Sequence, residues 1–188
     1  MRLKKDINAK ENTMEKSYKE IMPNITTFVF DVDGVLTDGS VSIFPDGELI
    51  RTMNTKDGYA LKTAVDNGYN ICIISGGTNR GVKSRLQGLG ITDIYLGAHN
   101  KMDQMEEYLD IYNIDPKNVL YMGDDIPDLP VMKICGLASC PKDAVPEVQA
   151  ASHYISQKKG GRGCARDVIE QVMKVQDKWK NQFDAKYD

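Results

Sequence analysis

Short apolar runs separated by stretches of helical spacing organise this chain. Strand-like runs occur at TTFVFD, YNICIIS, DIYLG, NVLYMG, GLAS and HYIS. Between them apolar residues recur every three or four positions, the mark of helices with one buried face. Leu61 and Val65 form one such pair, with Asp57 placed as an N-cap and Gly68 as a stop. Val82, Leu86 and Leu89 form a second face, opened by Thr78 or Asn79 and closed by Gly90. Met102, Met105 and Leu109 make a third, and Val168, Val172, Val175 and Trp179 share one stripe of the last segment. Continuous apolar strands alternating with amphipathic helices predict an α/β fold: a three-layer, Rossmann-like parallel sheet with helices on both faces. Ligands of such sheets sit beyond the carboxyl ends of the strands.

One segment breaks the alternation. SVSIFPDGELIRTMN, residues 40–54, predicts two short strands joined by a Pro-Asp-Gly turn, a β-hairpin inserted after the first strand. Its Val41, Ile43, Phe44, Leu49, Ile50 and Met53 need burial, against their own domain or, as the preferred reading, in an oligomer interface. Residues 1–22 are polar and Lys/Glu-rich, an expected extension ahead of a single domain over 23–188. With a hairpin and one helix between Asp38 and Ser75, and one helix after Lys101, no room is left for a large cap domain.

Composition narrows the function classes. The 188 residues are 41% hydrophobic and 27% charged, suited to one soluble domain with a useful core. A net charge of -3 offers no basic field for nucleic acid. No apolar run reaches membrane-spanning length, and the N-terminal stretch has no apolar signal core, so a cytoplasmic protein is expected. Cys72, Cys135, Cys140 and Cys164 form no Cys-x-x-Cys pair and read as reduced, buried thiols rather than a zinc site. Neither His99 nor His153 is assigned a catalytic role.

Candidate chemistry gathers at four strand ends. They carry Asp31 and Asp33, then Ser75, then Lys101, then Asp124, Asp125 and Asp128. Singly, each has an ordinary reading as a turn, a helix cap or a solvated lysine. Jointly they describe one site. Carboxylates gathered at one rim repel unless a cation joins them, and an oxygen-only ligand set suits Mg²⁺. A carboxylate beside Mg²⁺, a lysine and a hydroxyl can handle a phosphoryl group. A second aspartate two residues on can serve as general acid and base. A nucleoside-triphosphate loop of the Gly-x-x-x-x-Gly-Lys-Ser/Thr type does not occur.

DVDGVLTDG, ISGG, NK and GDDIPD resemble the four motifs of the haloacid dehalogenase-like superfamily of aspartate-nucleophile phosphatases. The resemblance spans about residues 25–170. It implies Asp31 as nucleophile and Asp33 as general acid and base, with Ser75 and Lys101 holding the phosphoryl group. It also implies Mg²⁺ bound by Asp31, Asp124 and the backbone carbonyl of Asp33, with Asp128 and Asp125 supporting the site from behind. FDVDGVLTDG, NTKDGYALK, LGITDIYLGAHNK, GDDIPDLPVM and GGRGCARDVI further resemble one branch, the 3-deoxy-D-manno-octulosonate 8-phosphate (KDO 8-phosphate) phosphatases. That branch implies a phosphorylated sugar acid of lipopolysaccharide biosynthesis as substrate. It also implies a homotetramer in which hairpins pack together and a neighbour's tail, here residues 158–188 with Arg162, closes the site. A plain linker is the other reading of that Gly-rich tail. Asn54, Thr55, Lys56, Asp57, Gly58, Lys62, Gly76 and Arg85 are implied as sugar contacts. The chain departs from the pattern after Ser75, where GGTNRG displaces an expected arginine to Arg80, and at Lys62, where arginine is common.

Three competing readings remain. A sister phosphatase would act on 2-keto-3-deoxy-nononic acid 9-phosphate. A signalling receiver would carry its acceptor aspartate on the third strand, but DIYLG ends without one. A non-catalytic protein with vestigial motifs would show a lost motif position, and none is lost.

Overall fold

The computed structural model describes residues 17–179. Strands β1 (Thr27–Phe30), β2 (Ser42–Ile43), β3 (Leu49–Ile50), β4 (Asn70–Ser75), β5 (Asp93–Leu96), β6 (Val119–Met122), β7 (Leu137–Cys140) and β8 (Tyr154–Ile155) alternate with helices. The helices are α1 (Tyr18–Ile21), α2 (Thr55–Asp66), α3 (Arg80–Gly88), α4 (Lys101–Tyr112), α5 (Leu129–Met132), α6 (Pro146–Ala151) and α7 (Cys164–Val175). Six strands form one parallel sheet in the order β5-β4-β1-β6-β7-β8, and β2 pairs antiparallel with β3 as the separate hairpin. This is the α/β architecture that the alternation predicts.

Side-chain alternation along each strand builds two cores, one per face. Phe28, Phe30, Ile71, Ile73, Leu120 and Met122 meet residues of α2, α3 and α7 on one side. Val29, Cys72, Ile74, Val119 and Tyr121 meet α4, α5 and α6 on the other. Because both faces are covered, the central strands β1, β4 and β6 are mainly apolar on both sides and not alternating. All four cysteines are free and buried, as reduced thiols would be.

Local chemistry differs from expectation in several places. Asn54, and not Asp57, caps α2, accepting from the Lys56 N–H at 2.9 Å. Asp57 is buried and caps α7 instead, accepting from the N–H groups of Gly163 (3.1 Å) and Arg166 (2.7 Å). Asn79 caps α3 through the Val82 N–H, one of the two starts expected for that helix. Helix α7 stops at Val175, which is exposed; Trp179 reaches the core only after the chain turns back through Asp177, at φ 55°. Of the polar N-terminal segment, residues 1–16 lie outside the described residues, while Tyr18 and Met22 pack on the domain. No helix among the described residues is long and apolar enough to cross a membrane.

Candidate active site

The central strand β1 ends at Asp31, whose N–H still pairs with the Met122 carbonyl (3.1 Å), and the chain then leaves the sheet in a wide turn over Val32–Leu36. The Thr37 N–H closes that turn on the Val32 carbonyl at 2.9 Å. Gly34 sits inside it at φ 83°, and a Cβ there would lie 1.9 Å from Asp124 Oδ2. Only glycine permits that backbone, and only glycine lets the turn from β1 lie against the acidic group after β6. Strands β4 and β6 flank β1, so Ser75 and Asp124 come up on either side of Asp31. Lys101 begins α4 and reaches the same floor.

At that floor, Asp31 Oδ1 accepts from the Val32 N–H (2.7 Å) and Oδ2 faces Lys101 Nζ at 2.9 Å. Lys101 also donates to Asp128 Oδ1 at 2.6 Å. Asp128 is fully buried and satisfied: Tyr121 donates its hydroxyl to Oδ1 (2.6 Å), while the N–H groups of Asp124 (3.0 Å) and Asp125 (3.2 Å) reach Oδ2. Oxygens of Asp31, Asp124 and Asp128 lie within 4.8 Å of one another. Burial raises Asp31 to about 6, against the opposing pull of Lys101. Burial, Asp31 and Asp128 together raise Asp124 to about 7. Burial pulls Lys101 down, but the two aspartates outweigh it and hold its pKa above the ordinary lysine value.

Three carboxylates with one buried lysine among them form a site that a hard divalent cation fits. The acceptors of Asp128 are already taken by four donors, which leaves Asp31 and Asp124 as the side chains with oxygens to give. Asp125 is exposed and accepts from the Ile126 N–H at 2.8 Å, fixing the turn that carries Asp128.

The Asp33 carboxylate is not among these three; it is held in an ion pair that the sequence reading missed. Arg51, from the hairpin, donates from Nε to Asp33 Oδ1 (2.7 Å) and from Nη2 to Oδ2 (2.9 Å). Its only sequence signal is a charge at the end of the apolar run Leu49–Ile50. A cleft of about 1000 Å³ opens over the floor, bounded by Asp31, Asp33, Ser75, Lys101 and Asp124 below and by Leu49 and Arg51 of the hairpin above.

Ser75 is buried at the cleft base, where its Oγ accepts from the Gly77 N–H at 3.3 Å, and Gly76 lines the wall. The other positions implied as sugar contacts do not line this cleft within one chain. Asn54 donates to the Gly161 carbonyl (3.2 Å), and Thr55 and Lys56 are exposed on the first turn of α2. Gly58 lies under Arg85, whose guanidinium lines a second recess behind the hairpin. Lys62 pairs with Asp66 along the surface of α2. Arg162 is exposed and meets Asp38 of its own chain at 3.3 Å. The glycines before it pack closely on the turn after β1 of their own chain: a Cβ on Gly160 would lie 1.9 Å from the Gly34 carbonyl oxygen.

Comparison with known proteins points to one family. The profile of haloacid dehalogenase-like hydrolases matches residues 88–166. The 3-deoxy-D-manno-octulosonate 8-phosphate phosphatase KdsC of Escherichia coli K12 is 37% identical over 155 residues, 82% of each chain. A crystal structure of the Yersinia pestis phosphatase of that name superposes with a TM-score of 0.83 at 34% identity, covering 85% of this chain and 86% of that one. The Moraxella catarrhalis phosphatase, solved with magnesium, phosphate and KDO, superposes with a TM-score of 0.82 at 30% identity, over 85% and 91% of the two chains.

Proposed function

The chain belongs to the KDO 8-phosphate phosphatase family of haloacid dehalogenase-like hydrolases, and from that premise we propose that it hydrolyses KDO 8-phosphate to KDO and phosphate through an aspartyl-phosphate on Asp31. One observation carries the reading: Asp31 Oδ2, held by Lys101 at 2.9 Å, faces Asp124 at the base of a cleft large enough for a sugar phosphate. Mg²⁺, held by Asp31, Asp124 and the Asp33 carbonyl, supplies positive charge to the phosphoryl oxygens when bound.

The protein's own groups divide the work. Lys101 orients Asp31 and brings a second positive charge to the transferring group. Ser75 and the Gly76–Gly77 turn line the wall where phosphoryl oxygens would lie. Asp31 attacks phosphorus as the bond to the sugar oxygen breaks, and Asp33 gives that oxygen a proton. Asp33 then takes a proton from water as the water attacks phosphorus, returning Asp31 to a carboxylate. Asp128, held by Tyr121 and two backbone N–H groups, keeps Lys101 in register.

The substrate choice rests on the relatives, including the one solved with KDO and phosphate. The same reading includes a homotetramer, and the exposed apolar hairpin supports it. Ile43 is 78% exposed, and Val41, Phe44, Leu49 and Ile50 are exposed beside it. Hairpins from four copies packed together would bury this surface, and would place Arg162 and the tail near a neighbour's cleft. The reading places the enzyme in the cytoplasm, in lipopolysaccharide sugar synthesis.

A phosphate-release screen over sugar phosphates with Mg²⁺ tests the proposal. KDO 8-phosphate should turn over fastest, and EDTA should stop the reaction. Rapid hydrolysis of a hexose phosphate, with the eight- and nine-carbon sugar acids untouched, would overturn the substrate assignment.

A further inference from the structure

The bidentate pair between Arg51 and Asp33 is at odds with the work given to Asp33. An acid that must present a proton to a leaving oxygen needs one carboxyl oxygen free, yet Arg51 occupies both. Thr37 adds a contact from its hydroxyl to Oδ1 at 3.4 Å. The Arg51 side chain is only 8% exposed and that of Asp33 33%, so the contact is part-buried, with the guanidinium as its covered side. The guanidinium also borders the turn that follows Ser75: a Cβ on Gly77 would lie 3.1 Å from Arg51 Nη2 and 3.3 Å from Asp33 Oδ2. Besides Asp33, Arg51 bonds the Leu49 carbonyl (3.2 Å), so two of its five N–H groups carry no bond among the described residues.

We propose, building on the phosphatase reading, that Arg51 is a positioning and specificity residue: it latches Asp33 while the cleft is empty and passes to an anionic oxygen of the entering substrate, freeing Asp33 for proton transfer. A guanidinium fork suits a phosphoryl or carboxylate group as well as it suits Asp33. The exchange therefore keeps the buried cation paired throughout. The hairpin takes part directly. Among the described residues, its side-chain bonds to the body are those of Arg51, the one from Asn54 Nδ2 at its foot to the Gly161 carbonyl (3.2 Å), and the one from Asn79 Nδ2 to the Leu49 carbonyl (2.8 Å), so Arg51 couples its seating to the state of Asp33.

Inorganic phosphate binding, measured by calorimetry on the Mg²⁺-loaded protein, tests the latch apart from turnover. If Asp33 competes with the ligand for Arg51, D33N should tighten phosphate binding about fivefold to tenfold. In the R51A background, D33N should change it less than about twofold. Equal tightening in both backgrounds would show a general charge effect and overturn the proposal. R51K, which keeps the charge without the fork, should recover part of the phosphate affinity lost in R51A and serves alone if R51A does not fold. With p-nitrophenyl phosphate, R51A should raise KM more than it lowers kcat, since that leaving group needs no proton; an unchanged KM would reduce Arg51 to a hairpin staple. Failure of the wild type to hydrolyse any phosphate ester would sink the phosphatase reading, while the binding cycle would still decide the latch.

Discussion

Gly34→Ala separates the cost to the fold from the cost to the site. The substitution puts an L side chain at φ 83°, a strain of about 1–2 kcal/mol. Its Cβ would also lie 1.9 Å from Asp124 Oδ2 and 2.3 Å from Asp124 Cγ. A carboxylate on a rotatable stem can swing aside, so the steric clash adds little to the stability loss. Swinging aside takes Asp124 away from Asp31, however, and dismantles the ligand pair. Mg²⁺ affinity should fall about 10-fold to 100-fold, in line with disturbed ligand orientation. Gly47→Ala is the matched control: it too lies at positive φ (87°), in the hairpin turn, but a Cβ there meets nothing within 4 Å. Urea unfolding without metal should show similar losses for the two variants, and Mg²⁺ titration should show a defect in Gly34→Ala alone. Wild-type Mg²⁺ affinity in Gly34→Ala would refute the placement of Asp124 as a ligand.

Three further perturbations test separate parts of the account. Asp57→Ala removes the cap from α7 and should cost about 1–2 kcal/mol in urea unfolding while leaving KM near normal; a large KM rise at unchanged stability would return Asp57 to the sugar site. Without metal, the raised Asp31 and Asp124 (about 6 and about 7) make the folded state bind more protons than the unfolded one, so stability should fall as pH rises from about 4 through about 7. Because Mg²⁺ competes with those protons, its effect on Tm should be larger at about pH 8 than at about pH 5, and an equal effect at both would contradict the shifts. Charging the hairpin with Ile43→Glu and Phe44→Glu should dissociate the proposed tetramer in analytical ultracentrifugation at little cost to monomer stability, whereas an unchanged sedimentation profile would contradict a hairpin interface.

The sheet was legible because each strand is a local apolar run and each helix repeats a local period. Asp31, Ser75, Lys101 and Asp124 were legible for the same reason, since each follows a strand whose end the pattern marks. What escaped depends on chain segments meeting across the fold. Arg51 reaches Asp33 because the hairpin lies back over the cleft, and nothing in residues 40–54 sets that angle. Asp57 reads locally as a cap for its own helix; it caps α7 because α2 and α7 pack together, bringing residues 57 and 163 into contact. The stripe through Trp179 assumed one continuous helix, whereas α7 ends after Val175 and the indole arrives by a turn. Of the positions implied as sugar contacts, Gly76 lines the cleft, whereas Asn54 and Asp57 bond the segment around residues 161–166, a long-range meeting that local pattern does not mark.

Chemical trapping at position 31 tests the central claim most directly. Enzyme turning over KDO 8-phosphate with Mg²⁺ would be quenched, reduced with borohydride and digested, and the peptide carrying Asp31 read by mass spectrometry. Reduction of an acyl phosphate converts that aspartate to homoserine, and the account predicts homoserine at position 31, with none in Asp31→Asn. Phosphate released at the full rate with aspartate intact at position 31, or sustained turnover by Asp31→Asn, would contradict it.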